Sequence, residues 1–489
     1  MKNKTNSITY RSVHGSMLLL LRQVLVQFMN FMGSIFLARF LSVKDYGFYG
    51  VLFYLLSFII NFGDIGLAAS LIRQKTKPEY EEETTIFTIQ CILSTIIFIT
   101  LIFIGPQLCK LYKLPQDYAV FFNILSLSIL IIVFKTIPTI RLERNLEFGW
   151  LTIIEIIQAA VYNGTAVLMS YLNYGPYSFC VALLLRTLIG SILVNVIKPF
   201  RFEFKMNLKV LKEHLKFGIP YQLNIYIGLA KDSISPVIIG AILGIAQTGT
   251  VNMASTIAAF PVLFISILSR LFLPAFSRAR DKEDELKFLF KMCIRLCNAF
   301  TAVFGIFILV MNEPFIRFIV GSKWMIINPL FYFLWSANLT IPTMFVCASL
   351  LNALGYPKVI LKHTMLWTII TLGIGGLLIF FIGIYGFGIS NIIVNISMVL
   401  LFIEIKKYIS CNISKEIFLA WSPAVIPAAL LYVISDYFSV NIFRLFMGLA
   451  IYTAIYIIFF VLFSYKDLLK ISQNIFKKYD LQPVDSLNV

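Results

Sequence analysis

Eight basic residues interrupt stretches of this chain that are otherwise apolar: Arg22, Arg39, Lys135, Arg186, Lys231, Arg270, Arg295 and Arg444. Asp64 and Asp232 are acidic counterparts in the same surroundings. On insertion scales a charge at the centre of an apolar span costs about 2.5–3.5 kcal/mol, so each needs water, a partner or a route to the surface. Arg186 and the pair Lys231–Asp232 lie near the middle of their stretches. Arg22 sits about six residues, or roughly 9 Å at helical rise, from the centre of its own, and Asp64 is similarly placed. Arg39, Lys135, Arg270, Arg295 and Arg444 are close enough to an end for their stems to reach the interface. For Arg22, Arg186 and Lys231 two readings stand. One is a cationic cavity that receives an anionic head-group. The other is internal pairing, of Arg22 or Lys231 with Asp64 or Asp232, that only fixes helix packing. Cations outnumber anions at depth, so pairing cannot neutralise them all. Asp64 and Asp232 are candidates for carrying protons or sodium, or for salt-bridge partners.

Enzyme chemistry finds no foothold. His14, His214 and His363 all fall near expected helix ends, and no glycine loop with its lysine is present to cradle a nucleotide phosphate. The seven cysteines are scattered without a CxxC, which fits helix packing rather than a metal site or a disulfide framework. No metal and no cofactor is expected.

The elements that must position these charges follow from composition. Of 489 residues 59% are hydrophobic and 13% charged, about half the charged share of an ordinary soluble domain. Lipid is the solvent that suits such a chain. The residues read as an all-α polytopic membrane protein with about fourteen spans. They lie near 15–41, 46–72, 86–104, 119–140, 150–172 and 176–197, then 216–240, 247–273, 288–311, 325–352, 359–382, 386–403, 417–435 and 441–463. Very short connections at Asn173–Gly175 and Gly383–Tyr385 fix antiparallel neighbours. The net charge of +17 sits in short loops, which argues for topology determinants and against nucleic acid as a partner. Lys and Arg divide 28 to 5 between alternate sides, placing both termini in the cytoplasm.

A basic connection from Lys198 to Lys216 separates six spans from eight. Across it runs an echo at an offset of 202 residues: Leu37–Leu41 with Gly47 matches Ile239–Leu243 with Gly249. Six spans per half would make the repeat parallel, about an axis along the membrane normal. The expected domains are 1–200 and 201–403, each a six-helix bundle, and 404–489, two extra helices with a tail.

The segments IFLARFLSVKDYGFYG at 35–50, FGDIGLAASLIRQ at 62–74, RLERNLEF at 141–148, FGIPYQLN at 217–224, LFLPAFSRARD at 271–281, EPFIRFIVGSKW at 313–324 and NALGYPK at 352–358 resemble a known family. It is the Wzx-type oligosaccharide flippases of the multidrug/oligosaccharidyl-lipid/polysaccharide exporter superfamily. The resemblance implies two six-helix bundles facing a cavity, plus two extra helices, in the bacterial cytoplasmic membrane. It implies a lipid-linked oligosaccharide, carried on undecaprenyl diphosphate, moved between leaflets for O-antigen, capsule or similar polysaccharide, with polymerase and glycosyltransferase partners. Cavity cations that hold the diphosphate carry over, as a class, onto Arg22, Arg39, Arg186, Lys231 and Arg270. Gly240-Ala241 stands where such proteins often place a basic residue after the glycine. A drug or small-cation antiporter of the same superfamily is the competing reading, and a membrane-embedded glycan polymerase or acyltransferase the enzymatic one.

Overall fold

A computed structural model describes residues 2–74 and 76–478; the side chains of 2–20, 464–478, Phe58, Asn224 and most of 227–233, Lys231 and Asp232 among them, lie outside the described residues. Helices dominate and no strand occurs among the described residues. Lipid enforces this choice, because a spanning backbone must satisfy its own hydrogen bonds and a helix does so within one segment.

Among the described residues, thirteen helices are long and apolar enough to cross a bilayer. The first six are α1 (Leu21–Phe40), α2 (Val43–Gly63), α3 (Tyr80–Leu111), α4 (Gln116–Arg144), α5 (Phe148–Tyr171) and α6 (Tyr177–Ile197). Next comes α7 (Leu208–Leu243), several of whose middle side chains lie outside the described residues; its described apolar part includes Ile234–Leu243. The rest are α8 (Ile245–Ala279), α9 (Glu283–Val310), α10 (Ser322–Leu354), α11 (Pro357–Ile382), α12 (Ile384–Lys407), α13 (Ile413–Val433) and α14 (Ile442–Phe463). The chain is a polytopic all-α membrane protein.

Local chemistry sets the ends of these helices. Ser42 caps α2 by accepting from Asp45 N at 3.1 Å, and Asn207 caps α7 by accepting from Lys209 N at 2.9 Å. Asn173 and Gly175 both take left-handed backbone, φ +64° and +53°, and let α6 fold back along α5. The connection after α6 is extended. Tyr80 OH donates to Arg201 O at 2.8 Å, and Thr88 Oγ1 donates to Lys205 O at 2.9 Å, so the strap is held on the end of α3. On its outer edge Lys205, 2.7 Å away, holds the Glu203 carboxyl below its ordinary range by hydrogen bonding to it.

The chain divides into two compact units. The first comprises 1–256, 320–330 and 364–394. Inside it the echo at 202 residues becomes a contact. A Cβ on Gly47 would lie 2.0 Å from Ile245 O, and one on Gly249 would lie 2.4 Å from Val43 O. Gly249 follows Gly47 by 202 residues and Ile245 follows Val43 by the same offset, so the two contacts are equivalent and the starts of α2 and α8 cross about a local two-fold. The 313–324 motif reaches the same place. Lys323 Nζ donates to Arg39 O at 2.8 Å, and the buried Trp324 donates to Ala38 O at 2.8 Å. A lysine here satisfies carbonyls that the end of α1 leaves unpaired.

The second unit comprises 257–319, 331–363 and 395–489. Its core is tied by polar groups that lipid could not satisfy. Asn298 donates to Thr343 Oγ1 at 2.9 Å and accepts from Trp421 Nε1 at 3.1 Å. Arg295 reaches Glu416 through Nε at 2.9 Å and Nη2 at 2.6 Å.

A cationic cavity in the first unit

Four helices of the first unit, α2, α4, α5 and α6, enclose a cavity of about 390 Å³. Its walls are aromatic and aliphatic, with Tyr49 and Phe53 from α2, Tyr162 from α5 and Phe179 from α6. Two cations line it, Lys135 from α4 and Arg186 from α6, and no carboxylate does among the described residues. The Arg186 guanidinium lies 5.7 Å from the centre of the Tyr162 ring, a cation–π distance. Tyr162 OH donates to Tyr49 OH at 3.3 Å. Neither Lys135 nor Arg186 makes a salt bridge among the described residues.

Lys135 and Arg186 are held by the backbone chemistry of their helices. Pro138 lacks the N–H that would bond the carbonyl of Phe134. Asn195 Nδ2 on α6 fills that gap at 2.9 Å, and Ser191 Oγ donates to Ile131 O at 3.0 Å. The α4–α6 seam is thereby stitched over the turn that leads into Lys135, in the manner of polar contacts between helices in lipid.

Beside this cavity stands an ion pair that spacing did not reveal. Arg22 Nη1 on α1 meets Glu155 Oε1 on α5 at 2.8 Å. The Arg22 side chain is 14% exposed and that of Glu155 46%. Glu155 and Arg186 both lie within electrostatic reach of Lys135. A half-open carboxylate inside a span requires water at its face.

The other expected residues fall elsewhere. Arg39 is in the last turn of α1 with an exposed side chain, and Arg270 is exposed on the part of α8 that belongs to the second unit. Asp64 lies in a break rather than inside a continuous span. The helix tightens over Ile60–Gly63, Ile65 and Gly66 take positive φ, and a new helix runs Leu67–Arg73. Asp64 Oδ1 accepts from Ala68 N at 2.9 Å and from Gln90 Nε2 at 2.6 Å, so it caps that new helix. Its partner is therefore not Arg22. Gly66 is required there, since a Cβ would come 2.4 Å from Gly218 O, where the FGDIG and FGIP motifs touch. Lys231 and Asp232 lie outside the described side chains.

A second, wider opening of about 600 Å³ runs between α1 and α5, lined by residues such as Phe28, Met32, Phe36 and Leu168. It is apolar and adjoins the helices that carry Arg22 and Glu155.

Thirteen apolar spans, a two-fold crossing of helix starts and a charged pocket inside the bundle define a membrane transporter fold. The chain belongs to the polysaccharide biosynthesis protein family, whose model matches residues 36–329. It is 22% identical over 428 residues, 85% of either chain, to the lipopolysaccharide biosynthesis protein WzxC of Escherichia coli (strain K12). It is 24% identical to the succinoglycan biosynthesis transport protein ExoT of Rhizobium meliloti (strain 1021), over 59% of this chain and 58% of that one. Among solved structures, the lipid II flippase MurJ in an inward closed conformation superposes with a TM-score of 0.77 at 15% identity, covering 94% of this chain and 100% of that one. A multidrug resistance MATE family transporter of the MOP superfamily gives 0.59 at 15% identity, covering 81% and 95%.

Proposed function

We propose that this protein is a flippase that carries a polyprenyl-diphosphate-linked oligosaccharide across the cytoplasmic membrane for surface polysaccharide assembly. The observation that carries the reading is the pair Lys135 and Arg186, unneutralised in a cavity with no carboxylate in its lining. A diphosphate offers several charged acceptors, and a guanidinium can engage two at once. Tyr49, Tyr162 and their aromatic neighbours supply ring faces against which sugars pack, while Ser57 and Thr187 offer hydroxyls. The polyprenyl tail has no need to enter, since lipid and the apolar opening between α1 and α5 can hold it. The names of WzxC and ExoT carry lipopolysaccharide biosynthesis and succinoglycan biosynthesis transport, which supports the same class of substrate.

In this reading the protein performs no covalent chemistry. It alternates access between six-helix halves with both termini in the cytoplasm. A small-cation antiporter on the same fold would place carboxylates at its binding site, and this cavity lines itself with cations instead.

Arg186→Ala and Lys135→Ala are the direct test, scored as surface polysaccharide per unit of membrane-inserted protein. Each variant is expected to lose most export while inserting at normal levels. Normal export by both would remove the cavity from the mechanism.

A further inference from the structure

The first unit contains two kinds of ion pair. Arg141 grips Glu83 with Nε and Nη2 on separate oxygens, at 2.9 and 2.5 Å, and the Glu83 side chain is 9% exposed. That pair is closed and bidentate, as a structural clamp should be. Arg22 touches Glu155 through one nitrogen only, its Nε is buried without a hydrogen-bond partner, and Glu155 is half open. A monodentate contact to a hydrated carboxylate is weaker, and a ligand with more acceptors can replace it.

Position gives this pair a task. Glu155 and the cavity-lining Tyr162 are seven residues apart on α5, so they share a face about two turns, or roughly 10 Å, apart. Lys135 lies nine residues from the end of α4 at Arg144, and Glu155 seven from the start of α5 at Phe148. Across that hairpin the two stand within roughly 3 Å of the same level. Arg22, Lys135 and Arg186 are thereby linked as a ladder by contact or electrostatic reach, with Glu155 between Arg22 and Lys135 and with Glu143 within reach of both Arg22 and Glu155.

We propose that Glu155 is the resident counter-ion of this ladder: it holds Arg22 while the cavity is empty and is displaced when a diphosphate arrives, so that it sets how tightly the substrate is held and how readily it leaves. This rests on the diphosphate reading above. An unpaired Arg22 in a span would be costly to keep, and a carboxylate that competes with the substrate keeps the site occupied between turnovers. It also keeps the cavity from binding any passing anion too firmly.

The test is titration of the purified full-length protein in detergent with farnesyl diphosphate, following bound ligand at low salt. Glu155→Gln keeps the size of the side chain and an oxygen for Arg22 but removes the charge. Coulomb repulsion between the carboxylate and a bound diphosphate over about 8 Å at an effective dielectric near 20 makes this worth about thirtyfold in apparent Kd, with tighter binding in the variant. Glu155→Asp retains the charge and should bind within about twofold of wild type. In cells, Glu155→Gln should export less polysaccharide despite its higher affinity, because release is slowed. Equal or weaker binding by Glu155→Gln overturns the counter-ion role and leaves the cavity reading intact. If neither wild type nor variant binds farnesyl diphosphate, both readings fall together.

Discussion

At the scale of single residues, the buried pairs differ in how much of the fold depends on them. Arg295 and Glu416 are 12% and 5% exposed at their side chains, and two nitrogens of the guanidinium converge on one carboxylate oxygen. Removing one partner leaves an uncompensated charge in the interior. Arg295→Ala is therefore expected to cost about 3–5 kcal/mol, and Arg295→Met with Glu416→Leu far less. Thermal unfolding in detergent checks both; a single variant that melts with wild type would show that the pair contributes nothing. Arg186 stood out in the sequence because it lies in mid-span. Lys135 did not. An expected span of 119–140 put it five residues from an end, whereas α4 continues to Arg144 and draws it into the cavity. Glu155 carries the same signal as Arg22, a charge inside an expected span (150–172), but nothing local points to its partner, 133 residues away.

At the scale of elements, the crossing of α2 and α8 is where tolerance should be lowest. Backbone oxygens face the missing Cβ of Gly47 and Gly249 at 2.0 and 2.4 Å, and backbone cannot rotate away as a side chain can. Gly47→Ala and Gly249→Ala are each expected to destabilise by about 1–3 kcal/mol through overpacking. Gly149→Ala is the control, with nothing within 4 Å of its Cβ. Equal melting temperatures for all three would mean the helices separate freely at that point. The offset of 202 residues was readable in the chain, but its meaning was not. Apolar segments resemble one another by chance, and only contact shows that the two copies pack against each other.

At the scale of the whole molecule, the uneven distribution of Lys and Arg makes a topological prediction. Alkaline phosphatase fused after Lys113 should be active outside, and the same reporter fused after Phe463 should be inactive. The reverse pattern would overturn the cytoplasmic placement of both termini. The family match over residues 36–329 contains every motif segment quoted for the resemblance except the first residue of 35–50 and all of 352–358. The family was therefore legible in scattered short segments well before any fold was known.

Composition and hydropathy by themselves decide that this chain lives in lipid as helices. A span of about 20 apolar residues has one stable form there, whatever its neighbours. Which charges meet is a different matter. Helix rotation, a few residues of boundary and the pairing of distant spans decide whether Arg22 finds Asp64 or Glu155, and none of these has a local signature. The sequence set how many cations interrupt the apolar spans; only the packed bundle decided which of them are buried and which share a cavity.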